Sequence, residues 1–115
     1  MMRRGDIVVV DFDPVRGNEV AKRRPAIVVS NDGANRRAVE LGRGVVTVVP
    51  VTSNVEKTFP FQVLLEDIPG LRVPSKAQAE QVRSVSVERV GRVLGRLPAA
   101  AVTRLDRALR LHLAL

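Results

Sequence analysis

GVVTVVPVT, residues 44–52, is the stretch that decides the fold, because its β-branched residues favour a strand over a helix. Three other segments share this Val/Ile-rich character and are bounded by Gly, Pro, Asn or Asp. They are DIVVVDF (6–12), AIVVS (26–30) and FQVLL (61–65). GRVLGRL (91–97) predicts a fifth strand, so these strands lie within residues 5–97.

Residues 75–85, SKAQAEQVRSV, carry two conflicting signals. Their Ala, Gln and Glu favour a helix, whereas the alternation after Ala79 favours an extended course. We predict a strand for this segment.

The C-terminal residues 99–115, AAAVTRLDRALRLHLAL, predict a helix at about 99–114. At 100° per residue, its apolar side chains share one arc that would dock on a core. The arc consists of Val102, Leu105, Ala108, Leu109 and Leu113. Strands in sequence followed by one terminal helix predict a mainly β fold, in the form of a small antiparallel barrel with a C-terminal α-helix.

Length and charge narrow the function classes. A chain of 115 residues fits one domain, 1–115, with a single core. Its 19 Lys and Arg outnumber 12 Asp and Glu, and the net charge of +7 suits a polyanionic partner such as nucleic acid. The apolar stretch at 7–10 is too short for a signal sequence, and no run is long enough to span a bilayer. We therefore expect a cytoplasmic protein without a membrane partner.

Several kinds of catalytic chemistry lack their residues in this chain. There is no Cys, and His112, the one His, falls within the apolar arc of the predicted helix and is expected to be packed. No His pair or acid cluster has metal-ligand spacing, and Gly42 and Gly44 lack the Lys-Ser/Thr that follows a phosphate-binding loop. We therefore expect no metal site and no cofactor.

RNA cleavage needs few of these groups, because the 2'-hydroxyl next to the scissile phosphate is itself the nucleophile. The enzyme has to align the reacting oxygens, stabilise charge on the phosphate and help a proton reach the leaving group. Arginine is always charged near neutral pH and presents a planar fork to phosphate oxygens. Thr52 and Ser53 end the strand at 44–52, so their hydroxyls are candidates for further hydrogen bonds. DNA lacks the 2'-hydroxyl, so such a site would be specific for RNA.

Four segments, in this order and spacing, resemble the MazF/PemK family of toxin endoribonucleases. They are RGDIVVVDFDPVRGNEVAKRRPAIVVSND (4–32), VVPVTSN (48–54), FPFQVLL (59–65) and AEQVRSV (79–85). The resemblance implies an SH3-like barrel of the CcdB/PemK type, a homodimer, and metal-independent cleavage of single-stranded mRNA that arrests growth. It also implies a small MazE-like antitoxin, whose acidic tail would lie across the basic cleft.

The resemblance also implies roles for individual residues. Arg24, directly before the proline of the second strand, corresponds to the family's catalytic arginine, and Thr52 corresponds to its catalytic hydroxyl. Ser53 is adjacent to Thr52 and is expected to contact RNA. The remaining expected RNA contacts are two residues of a loop that closes over RNA, two cations and three amides: Asn18 and Glu19, Lys22 and Arg23, and Asn31, Asn35 and Gln81.

Each role has a structural alternative. Taken alone, Arg24 would equally well satisfy backbone carbonyls beneath the long segment that precedes it, and Gln81 would fit as a buried amide. Lys22 and Arg23 suit a solvated loop as well as a phosphate contact. Two other functions occur on this fold, namely toxins that bind DNA gyrase and barrels that bind RNA without cleaving it. Neither of them needs Arg24 together with Thr52, which favours the nuclease.

Overall fold

The computed structural model of the protein describes residues 2–12 and 23–115. These residues form seven β-strands and two α-helices. Two strands are followed by a helix, then by five strands and the final helix. The elements are β1 Asp6–Asp11, β2 Arg23–Val28, α1 Asp32–Leu41, β3 Val45–Thr52, β4 Gln62–Leu65, β5 Ser75–Gln78, β6 Arg83–Ser86, β7 Val90–Arg96 and α2 Ala99–Leu113. The predicted mainly β class with a C-terminal helix is confirmed.

All strand pairs are antiparallel, in the order β4-β5-β3-β2-β1-β7. β3 is the centre of this arrangement because it pairs with three strands. One of its sides pairs with β2, and its other side pairs with β6 over Val45–Val48 and with β5 over Val51–Thr52. β5 and β6 therefore follow one another along the same side of β3.

The 75–85 segment was predicted as a single strand, and the structure divides it. A 3-10 turn at Ala79–Gln81 separates β5 from β6. The turn contains the Ala and Gln that favour a helix, while the flanking residues are extended. Each of the two sequence signals thus describes a different part of the segment.

The sheet of the described residues is not closed, which corrects the expectation of a barrel in the strict sense. The strands at the two ends of this order, β4 and β7, do not pair with each other. The gap is covered by the loop of residues 66–74, which touches β7 through two glycines. A Cβ at Gly70 would lie 2.7 Å from the Leu94 carbonyl oxygen, and one at Gly95 would clash with the Pro69 carbonyl. Only glycine permits this approach of the two backbones.

Both faces of the central sheet are apolar, because β1, β2 and β3 each alternate between two cores. One core contains Ile7, Ile27 and Val49, and Leu105 of α2 packs on it. The other core contains Val8, Val28 and Val48 of the same strands, and it is covered by the buried Ala38 of α1 and by other small elements. Packing on both faces of the sheet therefore restricts the movement of the strand ends that carry polar residues.

α2 docks on the sheet through the arc that the sequence predicts, with one change. Leu105, Ala108 and Leu109 are buried, but Leu113 is 49% exposed and His112 is exposed as well. The core contacts of α2 therefore end at Leu109, and its last turn is not covered. Neither α-helix in the described part of the chain is long and apolar enough to cross a membrane.

α1 was not predicted from the sequence. Asn31 begins it as the N-cap, where its side chain accepts a hydrogen bond of 2.8 Å from the Ala34 N–H. Gly42 ends it in the left-handed conformation, with φ of 63°. Only Asn35 and Ala38 of this helix are buried, so its apolar stripe is too narrow to be read as a core-facing helix.

Candidate active site

Arg24 and Thr52 lie at the same end of the sheet on neighbouring strands. β2 and β3 pair with Ala26 opposite Pro50 and Ile27 opposite Val49. Continuing this antiparallel register by two residues places Arg24 opposite Thr52 and on the same face of the sheet. Pro25 also restricts the preceding Arg24 to extended conformations, so its backbone direction is fixed.

A cleft of about 500 Å³ opens beside this pair. Its floor is Val9, Pro25 and Val51, which continue the inner face of the sheet beyond the core. Arg24, Thr52 and Ser53 line one side of the cleft, and the 66–74 loop and β7 form the opposite side. The cleft therefore combines an apolar floor with hydroxyl and guanidinium groups at its rim.

Three arginines give the cleft its charge: Arg24, Arg72 and Arg92. None of the described residues that line it is an acid. All three side chains are exposed, and none of them forms a hydrogen bond or ion pair with another described residue. Chemically, such an arrangement can bind phosphate oxygens and stabilise extra negative charge on them.

Thr52 is tied into the loop that follows it. Its hydroxyl accepts a hydrogen bond of 3.2 Å from the Asn54 N–H. Across the strand pair, Thr52 lies opposite Lys76 of β5, a buried lysine whose Nζ donates to the Lys57 carbonyl. Lys76 thereby connects β5 to the loop that follows β3. Because the Thr52 hydroxyl acts as the acceptor in its bond with Asn54, its own hydrogen is available to a ligand.

Gln81 lies in a second cavity of about 320 Å³ that shares Arg24 with the cleft. Phe12, Arg83 and Gln78 also line it, and the Arg83 guanidinium lies over the Phe12 ring at 5.4 Å. Gln81 is exposed, so the alternative of a buried amide does not describe it. The structure thus brings Gln81 near Arg24.

Asn31 and Asn35 are not brought to the cleft. Both follow the far end of β2, and the four residues from Arg24 to Val28 alone span about 13 Å. Asn31 is the N-cap of α1, as described above. Asn35 is fully buried, and its amide donates to the Ser30 carbonyl at 2.9 Å while its oxygen meets the Ser30 hydroxyl. Their amides hold the start of α1, which corrects the expectation that they face RNA.

The other predicted contacts have different outcomes. Asn18, Glu19 and Lys22 lie outside the described residues. Arg23 is exposed and lines another cavity, of about 210 Å³, with Asp11 of β1 and residues at the start of β7. It is not part of the cleft.

Sequence reasoning missed Arg72, Arg92 and Lys76. Arg72 lies in a loop between Gly70 and Pro74 and Arg92 lies in an edge strand, so neither carries a local signal of a shared site. Lys76 lies in the polar segment SKAQ, so its burial has no local sequence signal either. Among residues 2–12 and 23–115, no three His, Cys, Asp or Glu side chains form a group that could hold a metal ion.

Comparison with known proteins identifies relatives over the whole length. A family described as PemK-like, MazF-like toxin of type II toxin-antitoxin system matches residues 3–113. Endoribonuclease MazF9 of Mycobacterium tuberculosis is 60% identical over 98% of this chain and 97% of its own. Endoribonuclease MazF of Staphylococcus epidermidis is 30% identical over 100% and 93%.

The fold agrees with these matches. A crystal structure of MazE-MazF from Deinococcus radiodurans superposes with a TM-score of 0.80 at 28% identity, covering 99% of this chain and 96% of that one. The arrangement of the described elements is thus shared. The chain belongs to the family of PemK-like, MazF-like toxins of type II toxin-antitoxin systems.

Proposed function

We propose that the protein is a metal-independent endoribonuclease that cleaves single-stranded mRNA and arrests growth. The observation that carries this proposal is the position of Arg24 opposite Thr52 at the rim of a cleft lined by arginines and hydroxyls. The relatives named endoribonuclease support it, because they match this chain over nearly its whole length.

In this proposal the RNA provides the nucleophile. The 2'-oxygen attacks phosphorus and loses its proton to solvent, the bond from phosphorus to the 5'-oxygen breaks, and the products are a cyclic phosphate and a 5'-hydroxyl. Arg24 binds the phosphate oxygens as charge develops on them, passes a proton to the leaving 5'-oxygen and regains one from solvent, which restores the charged guanidinium. Thr52 donates its hydroxyl hydrogen to the phosphate and orients it, and Ser53 adds a second hydroxyl at the rim.

Gln81 and Arg23 complete the proposed RNA surface, together with Asn18, Glu19 and Lys22. Gln81 shares a cavity with Arg24 and can pair with a base edge through its amide. Arg23, beyond the cleft, is suited to a phosphate further along the strand. Asn31 and Asn35 are omitted, since both serve α1.

The proposed partners are a second copy of the chain and an antitoxin. A MazE-MazF complex is among the structures that superpose on this chain, and an acidic antitoxin tail would neutralise the cleft arginines. Leu111, 59% exposed near the end of α2, is suited to an apolar contact in a homodimer. We place the protein in the cytoplasm, where its proposed mRNA substrate is found.

The test is incubation with a long single-stranded RNA in excess EDTA, followed by mapping of the fragment ends. Discrete cuts with 5'-hydroxyl ends are expected. In Arg24→Ala the rate should fall about 100- to 1,000-fold, as when one charge-stabilising donor is removed from an active site. Arg43→Ala is the matched control, since Arg43 is exposed at the opposite end of β3 from Thr52.

Four results would contradict the proposal. Cleavage that stops in EDTA would remove the metal-independent mechanism. Cleavage by Arg24→Ala at the wild-type rate would remove Arg24 from the reaction and would point to a contaminating nuclease. RNA that is bound but left intact would leave a non-catalytic RNA-binding protein, and poisoned DNA gyrase beside intact RNA would leave the gyrase-binding function.

A further inference from the structure

Arg72 and Arg92 lie in the cleft without a part in the proposed mechanism or in the fold. The arginines that hold the fold have evident partners: Arg96 donates to Asp6 at 2.9 Å, and Arg104 donates to the Leu64 carbonyl at 2.9 Å. Arg72 and Arg92 have none among the described residues, and both are exposed. Two long cations without partners among residues 2–12 and 23–115, in a cleft whose described lining has no acid, are suited to an anionic ligand.

Arg92 is directed into the cleft by an irregularity of its strand. Val8 pairs with Val93 and Val10 pairs with Val90, so Val9 alone faces two residues of β7, Gly91 and Arg92. This is the pattern of a β-bulge, which bends a strand and changes the direction of a side chain. Val9 and Arg92 accordingly line the same cleft.

Arg72 is positioned by the contact of the 66–74 loop with β7. Gly70 is in a positive-φ conformation, with φ of 98°, and lies against the Leu94 backbone. Gly95 lies against Pro69 from the other side. Arg72 follows this contact by two residues and Arg92 precedes it on β7, so the same contact places both guanidinium groups at one wall of the cleft.

This wall is separated from Arg24. β1 lies between β2 and β7, and the Val10–Arg24 and Val9–Pro25 pairs put Arg24 at nearly the same height as the bulge. Two strand spacings correspond to about 10 Å between the backbones that carry Arg24 and Arg92. Arg24 also lines the second cavity, on the side away from β7.

We propose that Arg72 and Arg92 form a second phosphate-binding position, which holds a phosphate next to the scissile one. This proposal rests on the proposed nuclease function. The pair binds the RNA strand before and during the reaction alike and so contributes to substrate affinity more than to the chemical step. Arg72 and Arg92 are positioning residues in this sense, and Arg24 remains the group that contacts the reacting phosphate.

The test uses the sites at which the wild-type protein cuts RNA. A fluorescent oligonucleotide is made with one such site, and deoxyribose replaces the ribose whose 2'-hydroxyl would attack, so that it binds without being cleaved. The dissociation constant is measured by anisotropy at several NaCl concentrations. For single strands, each lost phosphate contact reduces the slope of log K against log salt by about 0.7.

Arg72→Gln and Arg92→Gln are each expected to reduce the slope by that amount and to raise KM with little change in kcat. Arg92→Lys keeps the charge and should keep the slope. Arg43→Gln, the matched control at the other end of β3, should leave both slope and KM unchanged. Circular dichroism and Tm measured for each variant separate a loss of binding from a loss of fold.

Neutral methylphosphonates placed one at a time then locate the phosphate. At one position beside the cut, neutralisation should weaken binding by the wild type but not by Arg92→Gln, as in a double-mutant cycle. If the position at which neutralisation leaves binding by Arg92→Gln unchanged is the scissile phosphate, the proposal of a separate site is wrong. Slopes that equal the wild-type value in both Gln variants would also overturn it, while cleavage itself would still stand.

Failure of the nuclease proposal gives a different result. If the wild type cuts no RNA, the same salt series is run with an unmodified single-stranded RNA. A reduced slope in the Gln variants would then support the phosphate position in a protein that only binds RNA, and an unchanged slope would reject it.

Discussion

At the scale of single residues, Arg24 and Thr52 depend on strand register rather than on proximity in sequence. Twenty-seven residues lie between them, yet the β2-β3 register extended by two positions makes them neighbours. Position in a two-sided sheet also limits their movement, since the residues behind them, such as Ala26 and Val49, are fully buried. A site built on such strand ends is preorganised, because its side chains begin from a rigid frame.

Thr52→Val is expected to slow cleavage and leave the fold intact, because it removes the hydroxyl and keeps the branched shape. A hydrogen bond to a charged group contributes about 1.5–3 kcal/mol, which corresponds to a loss of roughly 10- to 150-fold in kcat. Single-turnover kinetics would measure this. The matched control is Thr47→Val on the same strand, whose hydroxyl lies 3.3 Å from that of Ser84. An equal loss in both variants would show that the effect is not specific to the site.

Asn31→Ala should lower the free energy of unfolding by about 1 kcal/mol, because the substitution removes the N-cap of α1. The pattern of RNA cuts should remain that of the wild type. Asn31→Asp should retain most of the stability, since Asp is also a good N-cap. Urea unfolding and fragment mapping check the two parts, and a changed cut pattern in Asn31→Ala would return Asn31 to the RNA-binding residues.

At the scale of elements, the predicted strands and α2 follow from composition and period, but α1 does not. The helix could have been found from its ends, because Asn31 and Gly42 are a strong N-cap residue and a strong C-cap residue. Those signals were masked by the interpretation of Asn31 and Asn35 as base contacts. The two-part course of residues 75–85 depends on β3 having room for two short partners, which is a tertiary property that no local pattern contains.

The same limit explains which cleft residues were predictable. Arg24, Thr52 and Ser53 follow strand ends and match a known pattern. Arg72 and Arg92 reach the cleft through a β-bulge and through a contact between two glycine-containing segments, and both depend on backbone geometry rather than on residue type.

Gly95→Ala is expected to push the 66–74 loop away from β7, because the added Cβ meets the Pro69 carbonyl. Overpacking of this kind costs about 1–3 kcal/mol of stability. Limited proteolysis should cut the loop faster, and RNA affinity should fall with it. Gly91→Ala is the control on the same strand, since its Cβ would lie 3.4 Å from the nearest atom, the Val9 carbonyl oxygen. Equal protease sensitivity in the two variants would argue against the contact.

At the scale of the whole molecule, the net charge of +7 is expressed locally as a cleft in which every charged residue of the described lining is an arginine. If Arg24 contacts the scissile phosphate and the pair of Arg72 and Arg92 contacts the next one, the slope of log K against log salt should be at least about 1.4 in magnitude. Anisotropy with the uncleavable oligonucleotide measures it. A DNA strand of the same sequence should show a similar slope and remain uncut, because it lacks the 2'-hydroxyl. A slope near zero would mean that the cleft binds its ligand without phosphate contacts.

The pairing of β1 with β7 has a consequence for how the protein is made. One wall of the cleft requires Arg92, whereas its floor requires Val9 from the beginning of the chain. A ribosome that adds about 5–20 residues per second needs roughly 4–16 s for the 80 or so residues between them. The nascent chain therefore carries an incomplete cleft until Arg92 has been added and β7 has paired with β1, so a nuclease assembled in this way is inactive while those residues are being made.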